Sequence, residues 1–165
     1  MRNLKLSVWI LVVALIESML GHYIKIGSIM PDLLFVFTIC YAAEKNSISS
    51  IICVSVICGA IADSLSGRIF GHNLAIFLLI VVLVYLIREN VFKSNILISF
   101  LMVFIFSLLG KSMYYVANIA VLKDMGYFYS LFTMILPEAL YNTFVSLLML
   151  PLLKITLKKR SGLYR

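Results

Sequence analysis

The chain has 165 residues, of which 63% are hydrophobic and 13% charged, and its formal net charge is +7. A soluble domain is about half apolar and about a quarter charged, so this composition indicates an integral membrane protein. The length allows one membrane domain, and no polar segment within it is long enough to form a separate catalytic domain. The basic residues lie beside apolar segments, as orientation signals do, which argues against a nucleic-acid partner.

Apolar segments alternate with short polar turns and predict an all-α protein with six transmembrane helices. The predicted spans are residues 6–21, 31–43, 48–65, 73–87, 96–121 and 131–153. Pro31 and Asp32 suit the first turn of the second helix. Asn73 is predicted to cap the fourth.

The third span is rich in small residues, and Ser55, Gly59 and Asp63 recur on one face at a spacing of four. Small residues allow helices to approach closely in lipid, so we expect this span at the centre of the bundle. The junction that follows it, GAIADSLSGRIFGHN from Gly59 to Asn73, is unusually polar for so apolar a chain. Its predicted packing and junction residues are Ser66, Gly67, Gly71 and Asn73.

The distribution of basic residues predicts that both termini are cytoplasmic. Ten of the 14 then lie on the inner side, at Arg2, Lys5, Lys45, Arg88, Lys93, Lys154, Lys158, Lys159, Arg160 and Arg165. Only Lys25, Arg68 and Lys123 lie on the outer side, and Lys111 is left within the bundle. We expect the basic C-terminal tail to contact anionic lipids of the inner leaflet.

In this topology all the charged residues within the spans lie in the outer half. They are Glu17, Asp32, Asp63, Lys111 and Glu138, with Arg68 in an adjoining turn and with Tyr114, Asn118, Tyr141 and Asn142 nearby. One interpretation is a structural lock in which Lys111 pairs with Glu138 or Asp63, because a paired charge costs less in lipid than a single one. The others are a docking site for a partner helix and a pocket for a small ligand.

Catalytic and metal-binding patterns are absent from the sequence. The two histidines, His22 and His72, have no ligand at helical spacing, and no hydrolase, metalloprotease or phosphate-loop motif occurs. The cysteines, Cys40, Cys53 and Cys58, lie in apolar runs and are interpreted as small buried hydrophobic residues. We therefore expect no enzyme activity, no cofactor and no metal.

Three stretches together carry a family resemblance: PDLLFVF (Pro31–Phe37), the junction Gly59–Asn73, and PEALYNTFVSLLMLPLL (Pro137–Leu153). Their order resembles the bacterial rod shape-determining protein family MreD. The resemblance implies a multi-pass, non-enzymatic scaffold in the cytoplasmic membrane that binds MreC. Through MreC it would link MreB filaments to cell-wall synthases in the elongation complex.

The resemblance also implies a fold similar to the substrate-binding component of energy-coupling-factor transporters. The alternative function is therefore a solute-binding subunit of such a transporter, with the outer-half cluster as its pocket. The shortage of aromatic residues in the Gly59–Asn73 junction favours the scaffold, because flat solutes usually stack on aromatic rings. A handler of lipid-linked precursors has no feature of its own in the sequence.

Overall fold

The computed structural model describes residues 2–24, 29–44, 47–66, 71–91, 96–117 and 127–157. The helices are α1 (Arg2–Ile24), α2 (Leu33–Glu44), α3 (Ile48–Ser66), α4 (His72–Val91), α5 (Ile96–Ala117), α6 (Tyr127–Ser130) and α7 (Leu136–Leu157). A π-helical turn, Leu131–Ile135, joins α6 to α7, so the described residues form six helical segments. The predicted all-α class is confirmed.

Two of these segments are long and apolar enough to cross a bilayer, Ile48–Ser66 and Leu131–Ile155. The other apolar stretches are shorter: Leu6–Met19, Leu33–Glu44, His72–Arg88 and Phe100–Val116. Each of the six overlaps one predicted span, and six membrane crossings remain a prediction.

Helix α2, and not α3, lies at the centre of the bundle. Every residue from Leu33 to Ala42 is buried, and α2 contacts α1, α3, α4, α5 and α7. A helix that is apolar on all sides is suited to burial on all sides. Helix α3 buries only the face that carries its small residues. The expectation that the third span is central was therefore wrong, because small residues indicate one close contact and not a central position.

That close contact joins α3 to α4 at Gly59. A Cβ atom on Gly59 would lie 2.6 Å from the Cα of Leu74, so the two backbones touch where the glycine stands. A similar contact joins α5 to α2, because a Cβ on Gly110 would lie 2.5 Å from Cζ of Phe35. The Phe35 ring in turn packs against Phe77 of α4, with ring centroids 5.0 Å apart.

The π-helical turn before α7 has its cause in Pro137. Proline donates no backbone N–H, and its ring clashes with the carbonyl four residues earlier in a regular α-helix. The N–H of Leu136 instead bonds to the carbonyl of Leu131, which widens the turn immediately before the proline. The wide turn lets the helix continue into α7, whose first turns carry Glu138 and Asn142.

The cysteines are only partly placed as expected. Cys40 and Cys58 are buried, but Cys53 is exposed on α3. Its exposure follows from the one-sided packing of α3, since Cys53 lies away from the face that contacts α4.

Candidate functional site

Lys111 on α5 is the centre of an ion cluster between three helices. Its Nζ lies 2.6 Å from Oε1 of Glu138 on α7 and 3.2 Å from Oδ2 of Asp32, which precedes α2. The three side chains are 15–21% exposed, so the cluster is largely shielded from solvent. Of the two partners considered for Lys111 from the sequence, Glu138 pairs with it and Asp63 does not, and Asp32 is the second partner.

Asp32 also caps the central helix. Its Oδ1 accepts the N–H of Phe35 at 2.9 Å, as an N-cap side chain does. Glu17 of α1 supplies a second cap, because its Oε2 accepts the N–H of Leu34 at 2.9 Å. Asn142 of α7 accepts the N–H of Asp32 itself through Oδ1 at 2.9 Å. The start of α2 is therefore held from α1, α5 and α7, by what we call the Lys111 cluster: Glu17, Asp32, Lys111, Glu138 and Asn142.

Asp63, at the end of α3, caps the neighbouring helix α4. Its carboxylate accepts the N–H groups of Gly71 and Asn73 at 2.8 Å each and that of Leu74 at 3.3 Å. The hydroxyl of Ser66 donates to the Asp63 carbonyl at 3.0 Å. The carboxylate is thus directed at the backbone of the next helix, which explains why it is not the partner of Lys111.

The prediction that Asn73 caps the fourth helix was wrong. The first helical bond of α4 runs from the Ala75 N–H to the Gly71 carbonyl, so Gly71 is the N-cap residue. Its φ of 95° lies in the left-handed region that glycine adopts without strain. Because glycine has no side chain, the acceptor for the free N–H groups comes from Asp63 of the preceding helix.

A cavity of about 460 Å³ lies beside the Lys111 cluster. Four helices and the segment before α2 contribute to its wall, through Glu17, Ser18, Met30, Asp32, Ala62, Leu65, Ser66, Asn73, Lys111 and Tyr114. The volume lies in the range of small-molecule pockets, about 300–1,000 Å³. The Tyr114 ring contacts His72 edge-on, with centroids 5.1 Å apart, and lies 5.8 Å from the Lys111 ammonium.

The predicted site residues divide into five groups. Those of the Lys111 cluster meet at the start of α2, and Ser66, Asn73 and Tyr114 line the adjoining cavity. Asp63 and Gly71 form the α3–α4 junction, with Ser55 and Gly59 along the same face of α3. Tyr141 is half-buried on α7, next to Asn142. Arg68, Asn118 and Gly67 lie outside the described residues.

Sequence reasoning missed Gly110 and the cavity residues Ser18 and Met30. Gly110 stands alone in an apolar run, and only its position directly before Lys111 could have drawn attention to it. Four buried polar atoms among the described residues have no hydrogen-bond partner: Oγ of Ser55, Ser107 and Ser130, and Nδ2 of Asn142. A lone donor or hydroxyl in an apolar interior costs about 1–3 kcal/mol.

The chemistry available at this end of the bundle is electrostatic. The Lys111 cluster and the Asp63 cap hold helix ends together through charge-assisted hydrogen bonds. In the described part of the chain, no three His, Cys, Asp or Glu side chains are grouped so that they could hold a metal ion. These residues can hold helix ends together, and the carboxylates beside the cavity can accept hydrogen bonds from a positively charged group within it.

Comparison with known families adds an independent observation. A family model described as rod shape-determining protein MreD matches residues 1–160. No curated protein and no solved structure matches the chain. The family match covers every residue of the Lys111 cluster and of the α3–α4 junction.

Proposed function

Because this chain belongs to the MreD family of rod shape-determining proteins, we propose that it is a non-enzymatic membrane scaffold of the bacterial cell-elongation complex. In this role it binds the transmembrane region of MreC. Through MreC it helps to link MreB filaments to peptidoglycan synthesis. The family match is the observation that carries the proposal.

The geometry of the Lys111 cluster supports a scaffold role. A docking surface for a partner helix must keep its shape, because contacts between helices in lipid depend on close packing. The cluster joins the start of the central helix to α1, α5 and α7 at one end of the bundle. A fixed arrangement of several helix ends is what a scaffold requires.

The membrane orientation of the scaffold is part of the proposal. We place both termini in the cytoplasm and the Lys111 cluster towards the outer face, because 10 of the 14 basic residues then lie inside. At the opposite end of α2 from the cluster, Glu44 pairs with Lys154 of α7 at 3.4 Å. Arg88 lies 4.4 Å from the centroid of the Tyr85 ring. The C-terminal basic residues then contact anionic lipids of the inner leaflet.

Co-purification from mild detergent tests the proposal. The tagged chain is expressed at native level together with MreC, and the proteins that accompany it are identified by mass spectrometry. We expect stoichiometric MreC with the wild-type chain and with Lys154→Met, and markedly less with Lys111→Met. Absence of MreC from the wild-type sample would refute the scaffold role.

The cavity favours a second candidate, a solute-binding subunit of an energy-coupling-factor type transporter. Its size and the polar side chains in its wall suit a small solute. Such a subunit must associate with a pair of ATPases and a coupling membrane protein. Recovery of those proteins in place of MreC would establish this alternative.

A further inference from the structure

The cavity beside the Lys111 cluster has more acceptors than donors of charge-assisted hydrogen bonds. Two carboxylates, those of Glu17 and Asp32, line it beside the single ammonium of Lys111, and Glu138 contacts that ammonium. The ammonium is therefore already occupied by Asp32 and Glu138, at 3.2 Å and 2.6 Å.

Glu17 has an acceptor atom that no described residue uses. Its Oε2 accepts the Leu34 N–H, while the side chain lines the cavity and forms no ion pair among the described residues. A carboxylate within a membrane protein without a cationic partner is costly. The cavity wall therefore favours a positively charged occupant.

The wall also indicates the kind of cation. The three carboxylates of the cluster are not arranged to hold a metal ion, since no metal-ligand group exists among the described residues. The remaining wall offers the oxygen atoms of Ser66 and Asn73 and the ring of Tyr114. Oxygen acceptors with an aromatic face are suited to an organic ammonium.

We propose that this cavity binds a primary ammonium group, with Glu17 as its main anionic contact and Asp32 as the second. The ammonium donates a hydrogen bond to Glu17 Oε1 and gives this carboxylate a cationic partner. It can belong to the headgroup of phosphatidylethanolamine or to a soluble amine. The site does not depend on MreC, so it can exist whether or not the scaffold role holds.

Native mass spectrometry of the full chain tests the proposal. The protein is exchanged into detergent with equal amounts of phosphatidylethanolamine and phosphatidylglycerol that have identical acyl chains. We expect preferential retention of phosphatidylethanolamine and a loss of about tenfold with Glu17→Gln, which removes the charge and keeps an oxygen for the Leu34 N–H. Glu44→Gln makes the same charge change at the opposite end of α2 and should leave retention unchanged.

A second variant covers the case in which Glu17→Gln fails to accumulate. Asn73→Lys brings a lysine ammonium of the protein's own into the cavity, and it should abolish the lipid preference in a folded protein. Competition with free ethanolamine distinguishes the two sources. Displacement of the lipid assigns the site to a soluble amine, and retention of the lipid assigns it to the headgroup. Equal retention of the two lipids by the wild type with no binding of ethanolamine, or an unchanged preference in Asn73→Lys, would overturn the proposal.

Discussion

Lys111 on α5 and Glu138 on α7 form an ion pair in which Nζ lies 2.6 Å from Oε1. Asp32, directly before α2, contacts the same ammonium at 3.2 Å, so the pair also holds the start of α2. One basic side chain therefore connects three helices. Charged groups within a membrane protein are tolerated where they are paired. The consequence is that removing either partner exposes the other to an apolar environment.

Substitution Lys111→Met should destabilise the protein by about 2–3 kcal/mol. Breaking a fully buried pair costs about 3–5 kcal/mol, and the value is lower here because the side chains are 15–21% exposed. The measurement is the free energy of unfolding in detergent by denaturant titration. Lys154→Met is the matched control, because it removes a lysine from a more exposed pair with Glu44 and should cost at most about 1 kcal/mol. Equal effects of the two variants would contradict the structural role of the cluster.

Exchanging the charges of Lys111 and Glu138 should restore part of the accumulation that is lost when either charge is reversed alone. Lys111→Glu places four carboxylates together, and Glu138→Lys places two ammonium groups beside Asp32. We expect both single variants to accumulate poorly and the double variant to accumulate at an intermediate level. Membrane fractions quantified by immunoblot give the result. Failure of the double variant to exceed both singles would show that the pair is not the interaction that holds α5 to α7.

Asp63→Asn should loosen the start of α4. The carboxylate accepts three backbone N–H groups, at Gly71, Asn73 and Leu74. An amide keeps one oxygen and turns an NH₂ group towards a backbone donor, so the loss should be about 1–2 kcal/mol. Hydrogen exchange should quicken at residues 71–75 in particular. Ser64→Ala, which removes an exposed hydroxyl bonded to its own helix at Ala60, should leave that exchange unchanged.

The sequence was sufficient for the helical class and for the end of the bundle at which the charges gather. Apolar runs and polar turns determine the class, because a helix buried in lipid or protein must satisfy its own backbone. The reversal of direction between successive spans brings the charged residues to one end. The helix packing was not predictable in the same way. An entirely apolar helix such as α2 has the same composition whether it faces lipid or protein, so its central position could not be read from residues 33–42.

The partners of the charged groups were predictable only in part. The distribution of charges placed Lys111 within the bundle, and Glu138 or Asp63 was expected as its partner. The roles of Glu17 and Asp63 depend on which backbone N–H groups lie opposite them. Those positions follow from the rotation and depth of neighbouring helices, which residue spacing within one helix does not specify.

The overpacking caused by alanine at Gly59 or at Gly110 should respond differently to a second substitution in the facing helix. This difference tests how closely the helices approach. Gly59→Ala places a Cβ against the backbone of Leu74, and Gly110→Ala places one against the end of the Phe35 ring. Both should cost about 1–3 kcal/mol through overpacking. Phe35→Leu shortens the obstructing side chain, so it should recover part of the loss in Gly110→Ala. Leu74→Ala cannot move a backbone atom and should not rescue Gly59→Ala. The unfolding temperatures of the four single and two double variants give the result. Rescue of Gly59→Ala by Leu74→Ala would mean that α3 and α4 are farther apart than the contact at Gly59 requires.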